Sequence, residues 1–364
     1  MPKHKMKKQT WIGLGIVVIL LVAAALFGYR KWTTQNSSAR RDLLAMMPAD
    51  ASAVFFVDLA ELRAAPFLAQ LYAWAPKPQA DPDYAQFVKE TGFDYERDLD
   101  RVAIATFKSD GQATFLALAA GRFDTQKISA YALRNGKSTT LEKKPVFVVP
   151  LSDNSAVLLL VLAGDDQIIV TNDAFALHKF YDAPRSDAGK RDWTPRFERL
   201  AGSPAFAVIR QDAAAGAALA AQAPGGLRSL QLSTLLDQLQ WITIAGKPEN
   251  DRLHIVAEGE SSAEATTRQL ADLLSGVLAL AEAGLNDAKN RQQLDPAARA
   301  AYLELLKSAD VSKIDRGDSK SVRLAFEITP GFLESARRAS PAARNPAPSK
   351  PVPKDAASAK KGHT

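Results

Sequence analysis

Residues Arg101–Ala120 read RVAIATFKSDGQATFLALAA. Arg101–Phe107 and Thr114–Ala120 are apolar runs with β-branched and aromatic side chains, and the turn formers Lys108-Ser109-Asp110-Gly111 lie between them. An Asp-Gly step flanked by two such runs is a strong hairpin signal. The reading of this stretch as two antiparallel strands joined by a tight turn sets the fold class, an α+β chain built on antiparallel sheet.

The pattern continues on both sides. Leu116–Ile128, LALAAGRFDTQKI, runs from the second strand through Gly121 and an acidic turn into a helix ended by Asn135-Gly136. His254–Thr266, HIVAEGESSAEAT, has the same layout, after a second hairpin around Lys247-Pro248-Glu249-Asn250. In the first half, Ser52–Leu59 (SAVFFVDL) is a strand and Pro66 opens a helix. Tyr84–Thr91 is a helix closed by Gly92, strands recur at 145–150, 155–162 and 167–171, and a helix follows at 173–182. In the second half, Pro204–Arg210 is a strand and Asp212–Ala221 a helix. The strongest helix starts at a capping box, Ser261 with Glu264, and keeps Leu270, Leu273, Leu274, Val277 and Leu278 on one face. A helix after Asp295-Pro296, strands at 311–315 and 321–328, and a helix at 331–338 close the chain. Both halves read strand, helix, hairpin, helix, strands, helix. Two similar α+β lobes are expected, at 48–182 and 203–338, each an antiparallel sheet with helices packed on one face. A linker at 183–202 joins them.

Composition excludes much. The 364 residues include no cysteine, so disulfide scaffolds, thiolate zinc sites, cysteine nucleophiles and lipidated cysteines are ruled out. Of four histidines, His4 and His363 lie near the ends, leaving His178 and His254. The formal net charge of +6 is unevenly placed. Residues 1–41 carry +8 with no acids, residues 337–364 carry +6, and residues 42–336 carry −8. An acidic body is a poor match for a polyphosphate, so nucleic acid is not an expected partner.

Trp11–Tyr29, WIGLGIVVILLVAAALFGY, is 19 residues without a charge. At about 1.5 Å per residue a helix of that length spans the roughly 30 Å hydrocarbon layer. Trp11, Tyr29 and Trp32 mark the interfaces, and four lysines precede the run. The expectation is a basic cytoplasmic end at 1–10, an uncleaved signal-anchor at 11–29, a polar linker at 30–47 and an extracytoplasmic body. The protein is then single-pass in the cytoplasmic membrane, with the bilayer as one partner through Trp11–Tyr29. Residues 339–364, rich in Ala, Pro, Lys and Ser, are expected to form a disordered basic tail able to touch anionic polymers or headgroups.

No nucleophile elbow, phosphate-binding loop, dinucleotide fingerprint or zinc-protease motif is present. Asp94-Tyr95-Glu96-Arg97-Asp98-Leu99-Asp100 is the densest acidic cluster. It lacks the glycine and the terminal glutamate of a calcium-binding loop, and it reads as a polar loop neutralised by Arg97 and Arg101. Asp165/Asp166 are turn residues, and Arg316-Gly317-Asp318 reads as a hairpin turn rather than an adhesive tripeptide. Asn36-Ser37-Ser38 is a formal glycosylation sequon. No catalytic, cofactor-binding or metal-binding residue is assigned.

Three stretches carry a resemblance: Pro48–Phe55 (PADASAVF), Thr91–Asp100 (TGFDYERDLD) and Gly121–Asp124 (GRFD). On these the chain resembles an uncharacterised bacterial family of membrane-anchored, extracytoplasmic proteins of unknown function. The resemblance covers residues 10–180 and implies location and architecture, with no catalytic residue to transfer. The functional expectation is binding or scaffolding of an envelope protein or polymer. A carboxylate-based envelope hydrolase and an apolar-ligand binder are the alternatives.

Overall fold

The computed structural model describes residues 36–74, 82–109, 112–150, 157–182, 192–200, 202–211, 234–287 and 295–339. Trp11–Tyr29, the helix expected at Asp212–Ala221 and the tail beyond 339 lie outside these residues. Among the described residues, no helix is long and apolar enough to cross a membrane.

The chain opens with α1 (Asn36–Ala45), β1 (Ala53–Asp58), α2 (Leu59–Ala64), α3 (Pro66–Trp74), α4 (Pro82–Thr91) and the single turn α5 (Tyr95–Asp98). The hairpin follows as β2 (Leu99–Ser109) and β3 (Gln112–Gly121), then α6 (Thr125–Asn135), β4 (Lys137–Leu141), β5 (Lys144–Pro150), β6 (Val157–Leu162), β7 (Gln167–Thr171) and α7 (Ala174–Asp182). The second half comprises α8 (Thr194–Arg199), β8 (Ala205–Arg210), β9 (Trp241–Glu249), β10 (Arg252–Ser261), α9 (Glu264–Asn286), α10 (Pro296–Lys307), β11 (Asp310–Asp315), β12 (Lys320–Ile328) and α11 (Pro330–Ala339). Four helices start on an aspartate whose carboxylate accepts a backbone N–H of the first turn: Asp58, Asp94, Asp124 and Asp295. The capping box expected at Ser261 does not form. Ser261 is still paired with Lys320 as the last residue of β10, so the helix begins after Ala263 and the Ser261 hydroxyl accepts the Ala263 N–H.

The expectation of two lobes with separate sheets is overturned. All twelve strands form one antiparallel sheet in the order β11-β12-β10-β9-β8-β1-β2-β3-β7-β6-β5-β4. The seam is β1 against β8, with Phe55 opposite Ala207 and Phe56 opposite Phe206. The reason lies in those two strands. Val54 and Phe56 face one side and Phe55 and Val57 the other, while Phe206 and Val208 alternate with Ala205, Ala207 and Ile209. A strand apolar on both faces is a poor sheet edge, and pairing the two gives each a neighbour on both sides. The layout shared by the halves survives as an approximate two-fold relation across the seam. β1-β2-β3-β7-β6 runs outward on one side and β8-β9-β10-β12-β11 on the other, with β5 and β4 added to the first.

Helices cover both faces, not one. Leu43, Leu44 and Met47 of α1 and its extension, with Ala176 and Leu177 of α7 and Phe197 of α8, pack in a core with Val54, Phe56, Leu116 and Val208. On the opposite face, α2, α3 and α11 pack Leu62, Phe67, Leu68 and Leu333 near Val57 and Ala205, and α9 packs Leu270 and Ala271 on Ile242 and Val322. Two expected linkers are therefore structured. Residues 30–47 include α1, drawn onto the sheet by Leu43 and Leu44, and residues 183–202 include α8, fixed by buried Trp193 and Phe197.

One row crosses this second face in continuous register: Val311, Leu324, Ala257, Ile244, Ala207, Phe55, Ile104, Ala117, Val170, Leu160 and Phe147. Every member is apolar, and Ile244, in mid-sheet, is 37% exposed.

Candidate functional site

The first face changes character between β9 and β12. Glu258 and Glu260 sit two apart on β10, so both point to the side that is apolar in the first half, and both are buried. Opposite them on β12 are Arg323 and Ser321, and on β9 Thr243 and Trp241.

α8 supplies the next two groups. Phe197 packs between Trp193, edge-on with ring centres 4.6 Å apart, and Phe206, tilted at 4.9 Å, which seats the helix on the sheet. Arg196 and Arg199, three apart, then project over β10. Arg199 spans both acids, with Nη1 3.2 Å from Glu258 Oε1 and Nη2 2.8 Å from Glu260 Oε2. Arg196 pairs with Glu260 Oε1 and lies 4.1 Å from the centre of the Trp241 ring. Arg210, the residue of β8 opposite Trp241, lies 5.0 Å from the same ring and 3.4 Å from Asp192. From the β11–β12 turn, Arg316 reaches Glu258 with both terminal nitrogens, at 2.6 and 3.0 Å, and also donates to Ser321. Arg323 completes the set at 3.2 Å from Glu258 Oε2.

Five guanidiniums thus meet three carboxylates, a surplus of positive charge within a body that is acidic overall. Burial alone would raise the Glu258 pKa, but its bonds to Arg316, with help from Ser321 and Arg199, hold it below the usual carboxylate range. A carboxylate held ionised in this way is a poor proton donor, so the cluster is built to hold charge rather than to move protons. Burial lowers the Arg196 pKa, against the pull of Glu260. The Nε donors of Arg196 and Arg323 are buried and have no hydrogen-bond partner among the described residues. Arg210 and Arg323, whose side chains are 40% and 41% exposed, present the guanidiniums of the cluster that suit a planar or tetrahedral oxyanion.

The residues singled out by sequence lie elsewhere. Asp94–Asp100 is no calcium cage. Asp94 caps α5, Asp98 pairs with Arg97 at 2.6 Å and Arg122 at 3.6 Å, and Asp100 pairs with Arg63 at 2.7 Å. Arg97 neutralises the cluster as expected, and Arg101 reaches a more distant acid. Its Nε is 3.0 Å from Asp58, which is fully buried beside Arg40. Among the described residues, no group of His, Cys, Asp or Glu could hold a metal. His254 stands between Glu327, at 3.2 Å, and Glu249, at 3.5 Å, and His178 is 3.1 Å from Glu142. In Arg316-Gly317-Asp318 the arginine is spent inward on Glu258, and Gly317 supplies the positive φ of the turn, +84°. Asn36-Ser37-Ser38 forms the first turn of α1. Among the described residues, the one carboxyl pushed upward, Glu61, is raised by burial and opposed by Arg40, whose Nη2 donates to it at 3.0 Å.

The arginine cluster was not identified from sequence because its members come from three separate elements, α8, β8 and β12, and the turn before β12. Its only local trace is two glutamates at alternate positions of the strand HIVAEGES.

No protein-family model and no curated protein matches the chain. Among solved structures, crystal form IV of TP0453 is similar at 12% identity over 84% of this chain and 100% of that one, with a TM-score of 0.43. Crystal form III of TP0453 is similar at 12% identity over 81% and 97%, with a TM-score of 0.42.

Proposed function

We propose that the protein is tethered to the cell membrane of a bacterium through Trp11–Tyr29 and binds an anionic partner at the envelope with the Arg196, Arg199, Arg210, Arg316 and Arg323 cluster. The observation that carries this reading is five guanidiniums facing three carboxylates on one sheet face. The ionised state of Glu258 supports binding over acid–base hydrolysis. The uncharged run of 19 residues and the +8 of residues 1–41 support the tether. Tripolyphosphate titrated into the full chain in nanodiscs tests the site. Saturable binding should weaken tenfold or more in the Arg210→Ala/Arg323→Ala variant. Undiminished binding there would place the anion on the basic tail and refute the site.

A second reading, an apolar ligand, is favoured by the row through Phe55 and Ile244 on the opposite face. A fluorescent fatty acid should bind the full chain and lose affinity in Ile244→Asp; equal affinity for that variant rules the row out.

A further inference from the structure

The tether is short, and its attachment point on the body is known. Six residues, 30–35, separate Tyr29 from Asn36 at the start of α1. Seven Cα steps span at most about 25 Å even when fully extended. α1 runs back along β1. Arg40 donates to Glu61 and lies 3.9 Å from Asp58, at the last residue of the strand, whereas Ser52, after the helix, bonds to Thr106 at the strand's other end. The Arg40 guanidinium also lies 5.2 Å from the centre of the Phe56 ring, so the start of α1 sits toward the Asp58 end of β1. The two ends of β1 are themselves about 17 Å apart.

We infer that the Asp58 end of the body rests on the headgroup layer of the bilayer that holds Trp11–Tyr29. The opposite end, with Arg210 and Trp241, is turned away from that bilayer. Arg210 belongs to this outer end because its N–H donates to Ser52 O. The inference rests on the tether reading of the proposed function and adds an orientation to it. Charge does not set the contact. Exposed Arg97, Arg122 and Lys127 at the inner end are balanced by Asp98, Asp100 and Asp124, to which they are paired. Chain length does, so the contact persists at high salt. The partner of the arginine cluster then arrives from the aqueous side rather than from the headgroups of the protein's own leaflet.

The absence of cysteine makes the test direct. Ala64, the last residue of α2 at the inner end, and Ala49, ahead of β1 at the outer end, are both exposed alanines. Full-length Ala64→Cys and Ala49→Cys, each carrying one fluorophore, are reconstituted into phosphatidylcholine–phosphatidylglycerol vesicles containing a headgroup-linked quencher. The expected result is flotation with the vesicles, with quenching at least threefold stronger at residue 64 than at 49 and unchanged by salt. Flotation with equal or reversed quenching, or quenching abolished by salt, overturns the orientation and leaves the tether standing. A chain that does not float overturns the tether and the orientation with it.

Discussion

Asp58 shows how much one side chain can determine. It ends β1, caps α2 through the Glu61 N–H at 2.9 Å, and holds Arg101 at 3.0 Å with no exposure to solvent. Removing one partner of a buried ion pair leaves the other charge stranded, at a cost of about 3–5 kcal/mol. Asp58→Ala should lower the urea midpoint by a corresponding amount, with the slope unchanged. Glu258 makes a pH-dependent counterpart. Its folded pKa lies below its ordinary 4.5, so its contribution is fully present above that value and is lost as pH falls through the folded pKa. Glu258→Gln should cost about 3 kcal/mol at neutral pH. It should also flatten the fall in stability on the acid side, as read from denaturation across pH. At this scale the sequence was legible where a residue acts on its neighbours, as with Asp124 and Asp295 at helix starts. It was illegible where the partner is distant: Arg101 pairs with Asp58, 43 positions away.

Elements were readable in proportion to their apolar periodicity. The hairpin of β2 and β3 and the long helix α9 were evident because their patterns are strong and local. α1 was missed because Asn36-Ser37-Ser38-Ala39-Arg40-Arg41-Asp42 has little helical signal, and tertiary contacts of Arg40, Leu43 and Leu44 hold it on the sheet. α8 was missed for the same reason, since packing of Trp193 and Phe197 creates it rather than propensity. α9 buries the face that its periodicity marks and no other: Leu270 is 3% exposed and Leu273, Leu274, Val277 and Leu278 are half-buried, whereas Leu280, off that face, is 74% exposed. Leu270→Ala should therefore destabilise by about 2–5 kcal/mol, and Leu280→Ser should stay within about 0.5 kcal/mol. Thermal or urea denaturation of both variants checks the contrast, and equal effects would contradict packing of α9 by that one face.

For the molecule as a whole, the repeated layout was visible in sequence, but the way the halves join was not. Strands apolar on both faces, such as Ala53–Asp58, were compatible with either lobe until each was seen to complete the other across the seam. The sheet that results places the arginine cluster and the start of α1 at opposite ends of its central strands. The proposed function depends on that one continuous body. The most direct test is a disulfide across the seam in a protein with no other cysteine. Phe55→Cys and Ala207→Cys face each other in register, at the Cα separation of about 4.5–5.5 Å that antiparallel neighbours share and a disulfide accepts. The account predicts rapid, near-complete cross-linking under mild oxidation and none for Phe55→Cys with the off-register Ile209→Cys. Failure of the first pair to cross-link, or equal cross-linking of both, would contradict a single sheet running through β1 and β8.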